Sequence, residues 1–219
     1  MIRVVTAIFL AGVAAAAGTW TITTYLAEQQ YPKDMRGNPV VRSPLPSSVD
    51  NELDAVSALQ GMTLTVPSRG LTVPIGAINA VDGVINPPGF ASAYFVRNYG
   101  ANLTHAHDGT VFVVMHSCRG GAICPGNYLI DDEAGTTSLE KGADVFVGGL
   151  HYRVVASKTL HKPDVRAASD IWENTPGRLV LMTCMQVTAG TDGSVSLGWP
   201  RRVALIWPNS AVHGVSLSV

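Results

Sequence analysis

Apolar positions along this chain change their spacing twice. Positions 4–27 carry no charged residue, a run of 24. As a helix at about 1.5 Å per residue, such a run reaches across a hydrocarbon core of about 30 Å. It is Ala-rich, with Thr19, Thr21, Thr23 and Thr24 in its second half. Three readings fit it: an uncleaved signal-anchor helix, a signal peptide cut among the small residues at 14–18, and a buried soluble helix. Its length favours the anchor. Arg3 precedes the run while Lys33, Arg36 and Arg42 follow it, so the positive-inside count leaves the orientation open. Positions 28–60 lose the apolar run. Pro32, Pro39, Pro44 and Pro46, with Ser43, Ser47 and Ser48, predict an extended, solvated linker. Leu53, Val56 and Leu59 add a weak helical pattern.

From position 62 the pattern becomes short β-rich runs separated by Gly, Asn, Asp and Pro. Strands are expected at 62–66, 71–78, 110–116, 128–130, 145–147, 152–160, 179–183 and 203–207. Only a short helical turn at 164–171 interrupts them. Many short strands without alternating helices predict an all-β sandwich or barrel. A tract of about 155 residues is long enough to bury a core of its own.

Composition removes several classes. With 47% hydrophobic and 14% charged residues the chain is too apolar for disorder. Fifteen Lys and Arg against 16 Asp and Glu give a net charge of -1, with no basic stripe, so nucleic acid is not an expected partner. There is no Gly-rich phosphate loop, and no cofactor is expected. The acidic turn Asp131-Asp132-Glu133 reads as a solvated loop without calcium-ligand spacing. The positive mean hydropathy, +0.22, is largely the work of the N-terminal run.

The reactive residue types sit at strand ends. Cys118 and Cys124 flank a Gly-rich loop and can pair if the domain faces an oxidising compartment, which leaves Cys184 over. Cys184 closes the apolar run 178–183, either as a small buried hydrophobe or as a nucleophile. Of six histidines, His116 closes the apolar run 110–115, which sets its imidazole at a sheet rim; the other five read as solvated or structural. Arg201 and Arg202 open the last run, as a solvated edge or as donors for a carbonyl or oxyanion. Two other readings use the same atoms. His116, Cys118, Cys124 and Cys184 have the right types for a structural zinc, though not a common spacing. His116-Ser117-Cys118 partly echoes L,D-transpeptidases, and a papain-like peptidase would also use a Cys.

The tract Leu181-Met182-Thr183-Cys184 resembles the TLxTC signature of the sortases, the Cys transpeptidases of Gram-positive cell surfaces, with Val180 where that signature has Thr. His116 matches the family's His after an upstream apolar strand. Arg202, followed by Val203-Ala204-Leu205, best matches its Arg, and Arg201 stays open because one residue of register reverses the face. Val66-Pro67-Ser68-Arg69-Gly70-Leu71 resembles the family's first-strand region, with Arg69 at a usually apolar position. Asp82-Gly83 and Pro87-Pro88 sit as in many actinobacterial-type members. The resemblance spans about residues 62–208.

That resemblance implies a closed β-barrel of about eight strands, with short helical turns, preceded by an N-terminal transmembrane helix. It implies a membrane-anchored layout: anchor 1–27, extracytoplasmic linker 28–60, catalytic barrel 61–219. It implies cleavage of an LPxTG-like sorting signal between Thr and Gly, through a Cys184 thioester. His116 would protonate the leaving amine and Arg202 hold the oxyanion, with Arg201 and Thr183 as candidate substrate contacts; strand packing is the other reading of Thr183. Partners would be surface proteins bearing the signal and an amine acceptor, a peptidoglycan precursor or pilin Lys. No metal is implied. Cys118 and Cys124 are outside the family pattern, and they are expected to form a disulfide that stiffens the loop after His116. So short a loop orders its surroundings rather than the whole fold. An inactive or zinc-stapled binding module of the same shape is the alternative.

Overall fold

The computed structural model describes residues 32–40, 59 and 61–185, and the strand at 202–209 by its backbone. Within these residues the strands are β1 (Thr63–Val66), β2 (Leu71–Ile78), β3 (Ala93–Val96), β4 (Thr110–Met115), β5 (Ile130–Asp131), β6 (Thr136–Thr137), β7 (Asp144–Val147), β8 (Leu150–His161), β9 (Arg178–Met185) and β10 (Arg202–Asn209). Two single-turn helices, α1 (Lys162–Val165) and α2 (Ser169–Trp172), lie between β8 and β9. A closed barrel runs β1-β2-β3-β4-β9-β10-β8-β7 and returns to β1 through β7. Only β2–β3 and β4–β9 pair in parallel; β5 and β6 form a separate two-stranded ribbon. The expectation of an eight-stranded all-β barrel therefore holds.

Alternation along the strands fills the barrel and coats part of its outside. Leu179 and Leu181 of β9 join Val111, Val113 and Met115 of β4 in the interior, with Leu64, Ile75 and Tyr152. The alternate residues Val180, Met182, Phe112 and Val114 form an outer cluster with Tyr94 and Ile171, against which Trp172 packs. Both faces of β4 and β9 are thus covered. This is why the two strands read as nearly continuous apolar runs, as parallel strands buried on both faces do.

Three local expectations change. β3 is not expected from the sequence: all four of its residues are buried, and so short a run without alternation does not stand out as a strand. The strand expected at 128–130 is instead a 3-10 turn, Pro125–Tyr128, followed by β5. Pro at the first turn position and Gly after it favour the turn. The turn at 164–171 resolves into α1 and α2. Between β2 and β3, Asp82 and Gly83 take φ values of 51° and 74° and bring Val81 and Val84 into a bridge. Positive φ at both central residues is what a type I′ turn requires, and Asp-Gly is a favoured pair for it.

Residues 1–31, including the expected anchor 1–27, lie outside the described residues. Among those described, no helix is long and apolar enough to cross a membrane. Residues 32–40 fall within the expected solvated linker, yet they pack. Val40 N–H donates to Pro32 O at 2.8 Å and closes a tight loop around Asp34, which is only 3% exposed. The Asp34 carboxylate accepts from the N–H groups of Arg36 (2.9 Å) and Asn38 (2.7 Å), from the Asn38 side chain (3.2 Å) and from Ile123 N–H (2.9 Å). Pro and Ser punctuation marks a break in periodicity, but a buried acceptor can organise such a segment without any.

Burial by itself would raise the Asp34 pKa. The hydrogen bonds from Ile123, Asn38 and Arg36 outweigh it and hold the group at about 2. A folded pKa below the unfolded one means the ionised form stabilises the loop above the unfolded value of about 3.9. That contribution is lost as pH falls through about 2. Amide exchange at Ile123 should therefore accelerate as pH drops from about 4 to about 2, beyond the intrinsic trend of exposed amides, and Asp34→Asn should remove the pH dependence. Equal protection across that range would contradict this account.

Candidate active site

The barrel's parallel pair sets the site. β4 and β9 run side by side in register, with Met115 opposite Thr183. One residue further on each strand stand His116 and Cys184. Alternation places both on the outer face, the face of Phe112 and Val114 on one strand and of Val180 and Met182 on the other. Both are half-buried. The chain stays close after His116, because the Ser117 hydroxyl donates to the Cys184 carbonyl. A histidine and a free cysteine are thereby brought to one end of two neighbouring strands.

The loop after His116 is tied at several points. Cys118 and Cys124 are joined in a disulfide, with Cα atoms 5.4 Å apart. Asn127 lies under the bridge: its side-chain oxygen accepts from Cys118 N–H (2.8 Å) and Cys124 N–H (2.9 Å), and its amide donates to Cys118 O (2.9 Å). Gly126 N–H donates to the His116 carbonyl at 2.8 Å. On the other side, Met35 N–H donates to Ile123 O at 2.9 Å beside the Asp34–Ile123 bond. Val40, Phe90, Cys118 and Cys124 form one buried cluster. Each of these restraints ends on the loop that leaves His116.

Two contacts orient the imidazole itself. Its Nε2–H donates to the Pro87 carbonyl at 2.7 Å, and its ring stacks on Phe90 with centroids 4.3 Å apart and planes 14° from parallel. Burial pushes the Cys184 thiol pKa up, while the charge of Lys162, the first residue of α1, favours the thiolate. Desolvation outweighs that single cation, so the thiol form is favoured at neutral pH.

The other sequence candidates distribute as follows. Arg202 is directly opposite Met185 on β9 and His161 on β8, and it is Val203 that stands opposite Cys184. Arg201 lies outside the described residues, as do residues 186–200. Thr183 faces the interior, opposite to Cys184; it is 3% exposed, its hydroxyl has no hydrogen-bond partner among the described residues, and Gly126 lies against it. Its placement is that of a packing residue, because neighbouring strand residues point to opposite faces. Thr183→Val, which exchanges an unpaired buried hydroxyl for a methyl, is expected to leave stability unchanged or raise it by about 1 kcal/mol. A fall of that size in thermal unfolding would show that the hydroxyl is bonded after all.

The zinc alternative loses two of its four ligands, since Cys118 and Cys124 bond each other and leave no thiolates to bind metal. No cluster of metal-ligating side chains occurs among the described residues. His105 and His107 are exposed. His151 bonds Asp144 at 2.8 Å and stacks on Phe146, a structural pairing on β7 and β8. His213 lies outside the described residues.

Sequence reading named Pro87 and Ser117 without these contacts, and missed Phe90, Lys162 and the docking of the 32–40 segment. Only Lys162 carries a signal by residue type, a cation just after a strand. The others act through a carbonyl, a ring face or a backbone contact, which depend on where distant segments meet.

No family model matches the chain, and no curated protein matches it. Solved structures similar to it include sortase A of Listeria monocytogenes, at 17% identity over 71% of this chain and 87% of that one, with a TM-score of 0.47. They also include a lid mutant of sortase A from Corynebacterium diphtheriae, at 12% identity over 77% and 75%, TM-score 0.48. A pilus-related sortase C of Group B Streptococcus is similar at 13% identity over 86% and 88%, TM-score 0.46. Likeness at such identities does not say which residues react.

Proposed function

We propose that this chain is a sortase-type cysteine transpeptidase. It would cleave an LPxTG-like sorting signal between Thr and Gly and transfer the acyl group to an amine. The observation that carries this reading is the parallel register of β4 and β9, which puts His116 and Cys184 next to each other on one face. The TLxTC-like tract ending in Cys184 supports it.

In this mechanism the Cys184 thiolate attacks the Thr carbonyl carbon. The tetrahedral intermediate collapses as protonated His116 gives its proton to the leaving Gly amine, and a thioester remains. An incoming amine then attacks the thioester, loses its proton to His116, and expels Cys184 as thiolate. Because burial favours the thiol, the reactive thiolate–imidazolium pair is a minority species at neutral pH and turnover is slow. Substrates would be surface proteins carrying the signal, and the acceptor a peptidoglycan precursor or pilin Lys. Residues 1–27 would serve as a single-pass anchor that holds the barrel outside the membrane.

In this reading the oxyanion donor is an arginine at the start of β10, Arg202 or its neighbour Arg201. Directly opposed residues of an antiparallel ladder share a face, so Val203 shares the face of Cys184 and the position of Arg202 shares that of Met185. Arg201 lies outside the described residues and stays the second candidate beside Arg202. One of Arg202→Ala and Arg201→Ala is therefore expected to lower kcat/KM by about 100-fold, and the other by much less. Unchanged kcat/KM in both variants would remove the arginine from the mechanism.

The test uses the protein with residues 32–40 intact. It is incubated with LPxTG and LAxTG peptides and a small amine, and mass spectrometry follows the acyl-enzyme and the transfer product. A thioester on Cys184 and an amine adduct are expected. Peptide binding without either adduct, in oxidised and reduced protein, would replace this reading with that of a binding module.

A further inference from the structure

The contacts around His116 assign work to residues outside the reacting trio. A catalytic imidazole needs a set plane and a set tautomer. The Phe90 ring, parallel to it at 4.3 Å, restricts rotation of the plane. The Pro87 carbonyl, 2.7 Å from Nε2, holds the proton of the neutral ring on Nε2 and makes Nδ1 the basic nitrogen. Both restraints come from the 85–92 loop, so the loop itself must be held.

Two features hold it. At its base the loop lies directly on Tyr94 of β3: a Cβ on Gly89 would fall 2.4 Å from the Tyr94 hydroxyl. At its tip, Phe90 is buried with Val40 and the Cys118–Cys124 bridge. Val40 in turn belongs to the 32–40 loop, fastened to Ile123 by Asp34 and Met35. Segments far apart in sequence are thus joined by successive contacts: 32–40, the disulfide, Phe90, His116.

We propose that Phe90 is a positioning residue for His116, held in place by the 32–40 segment and the Cys118–Cys124 bridge, so that Nδ1 is the nitrogen that exchanges protons with the substrate amines. Nδ1–H of the imidazolium gives its proton to the leaving amine, and Nδ1 takes one back from the incoming amine; Nε2–H stays on the Pro87 carbonyl throughout. The kinetic part of this proposal rests on the acyl-transfer reading, whereas the ring's plane and tautomer do not.

The experiment compares the full-length protein with Phe90→Leu, Phe90→Tyr and Val40→Ala. Nitrogen-15 and proton spectra of labelled histidine report the His116 tautomer and the ring-current shift imposed by Phe90. Steady-state kinetics with the best peptide report kcat and KM. In the parent protein, His116 should show an upfield-shifted ring and an Nε2–H neutral form. Phe90→Leu should lose the shift, mix the tautomers and lower kcat about tenfold while KM changes little. Phe90→Tyr, which keeps a stacking ring, should restore both. Val40→Ala leaves Phe90 in place with thinner support, so it should move both readouts the same way by less; it decides the matter if Phe90→Leu does not fold.

An unshifted ring in the parent overturns the proposal. So does a Phe90→Tyr variant as impaired as Phe90→Leu. If the parent has the stacked ring and the Nε2–H form but transfers no acyl group to any amine, the acyl-transfer reading falls and the positioning role of Phe90 stands.

Discussion

Cys184→Ala is expected to abolish acyl transfer, lowering the rate by about four orders of magnitude or more. The reason is chemical rather than structural. In the proposed mechanism the thioester forms on Sγ, and no other thiol among the described residues can replace it, because Cys118 and Cys124 are bonded to each other. Cys184 is half-buried at the end of β9, so its truncation should leave the barrel and its unfolding temperature nearly unchanged. His116→Ala should cost less, about 100- to 10,000-fold, since it removes proton transfer but leaves the nucleophile. The two substitutions together should cost little more than Cys184→Ala alone, because residues acting as one unit are not additive. Peptide turnover is the measurement for all three. Transfer that survives in Cys184→Ala would exclude the mechanism.

Gly126→Ala is expected to damage both stability and activity. Gly126 sits in the turn Pro125–Tyr128, and its N–H holds the His116 carbonyl. A Cβ there would fall 1.9 Å from the Thr183 hydroxyl, 2.9 Å from the Thr183 Cβ and 2.8 Å from the His116 carbonyl oxygen. Two of those atoms belong to backbone or to a Cβ and cannot rotate away. The turn must lift off β9, which moves the carbonyl of His116 and the Asn127 cradle of the disulfide. Overpacking of this kind costs about 1–3 kcal/mol. A displaced base should lower the acyl-transfer rate by about 100-fold. Thr183→Ala in the same protein removes the nearest atom and should recover part of both losses. Denaturant unfolding and peptide turnover of the single and double variants test this. A fully stable, fully active Gly126→Ala protein would show that the turn is not packed against β9.

Oxidation state connects to the same loop. The bridge, the Asn127 cradle and the Asp34 contacts all order residues 116–127, and the closed loop is short. Its contribution to global stability is accordingly small, and its effect is felt at His116. Removing 32–40 for convenience would take away Val40 and Asp34, and with them one side of the Phe90 cluster.

Much of this protein can be read from residue order alone. Apolar runs bounded by turn residues were enough for β1, β2, β4, β7, β8, β9 and β10: some alternate with a period of two, β4 and β9 are nearly continuous, and Gly, Asn, Asp or Pro mark their ends. His116 and Cys184 were visible as reactive types closing apolar strands, and the short spacing of Cys118 and Cys124 suggested that they could pair. These are local signals, carried by the residue itself or by its immediate neighbours.

What the tertiary structure decided is non-local. β3 is buried along its whole length, and so short a run without alternation does not stand out as a strand. Residues 32–40, punctuated like a linker, dock because Asp34 finds the Ile123 N–H 89 positions away. Thr183 and Cys184 are adjacent in sequence, yet the pleat sends one to the interior and the other to the site. The pairing of Val203 rather than Arg202 with Cys184 depends on ladder register, which no residue type announces. Residue order determined which chemistry this chain could carry. The closure of the barrel determined which groups meet, because hydrogen-bond register and burial are fixed only when distant strands come together.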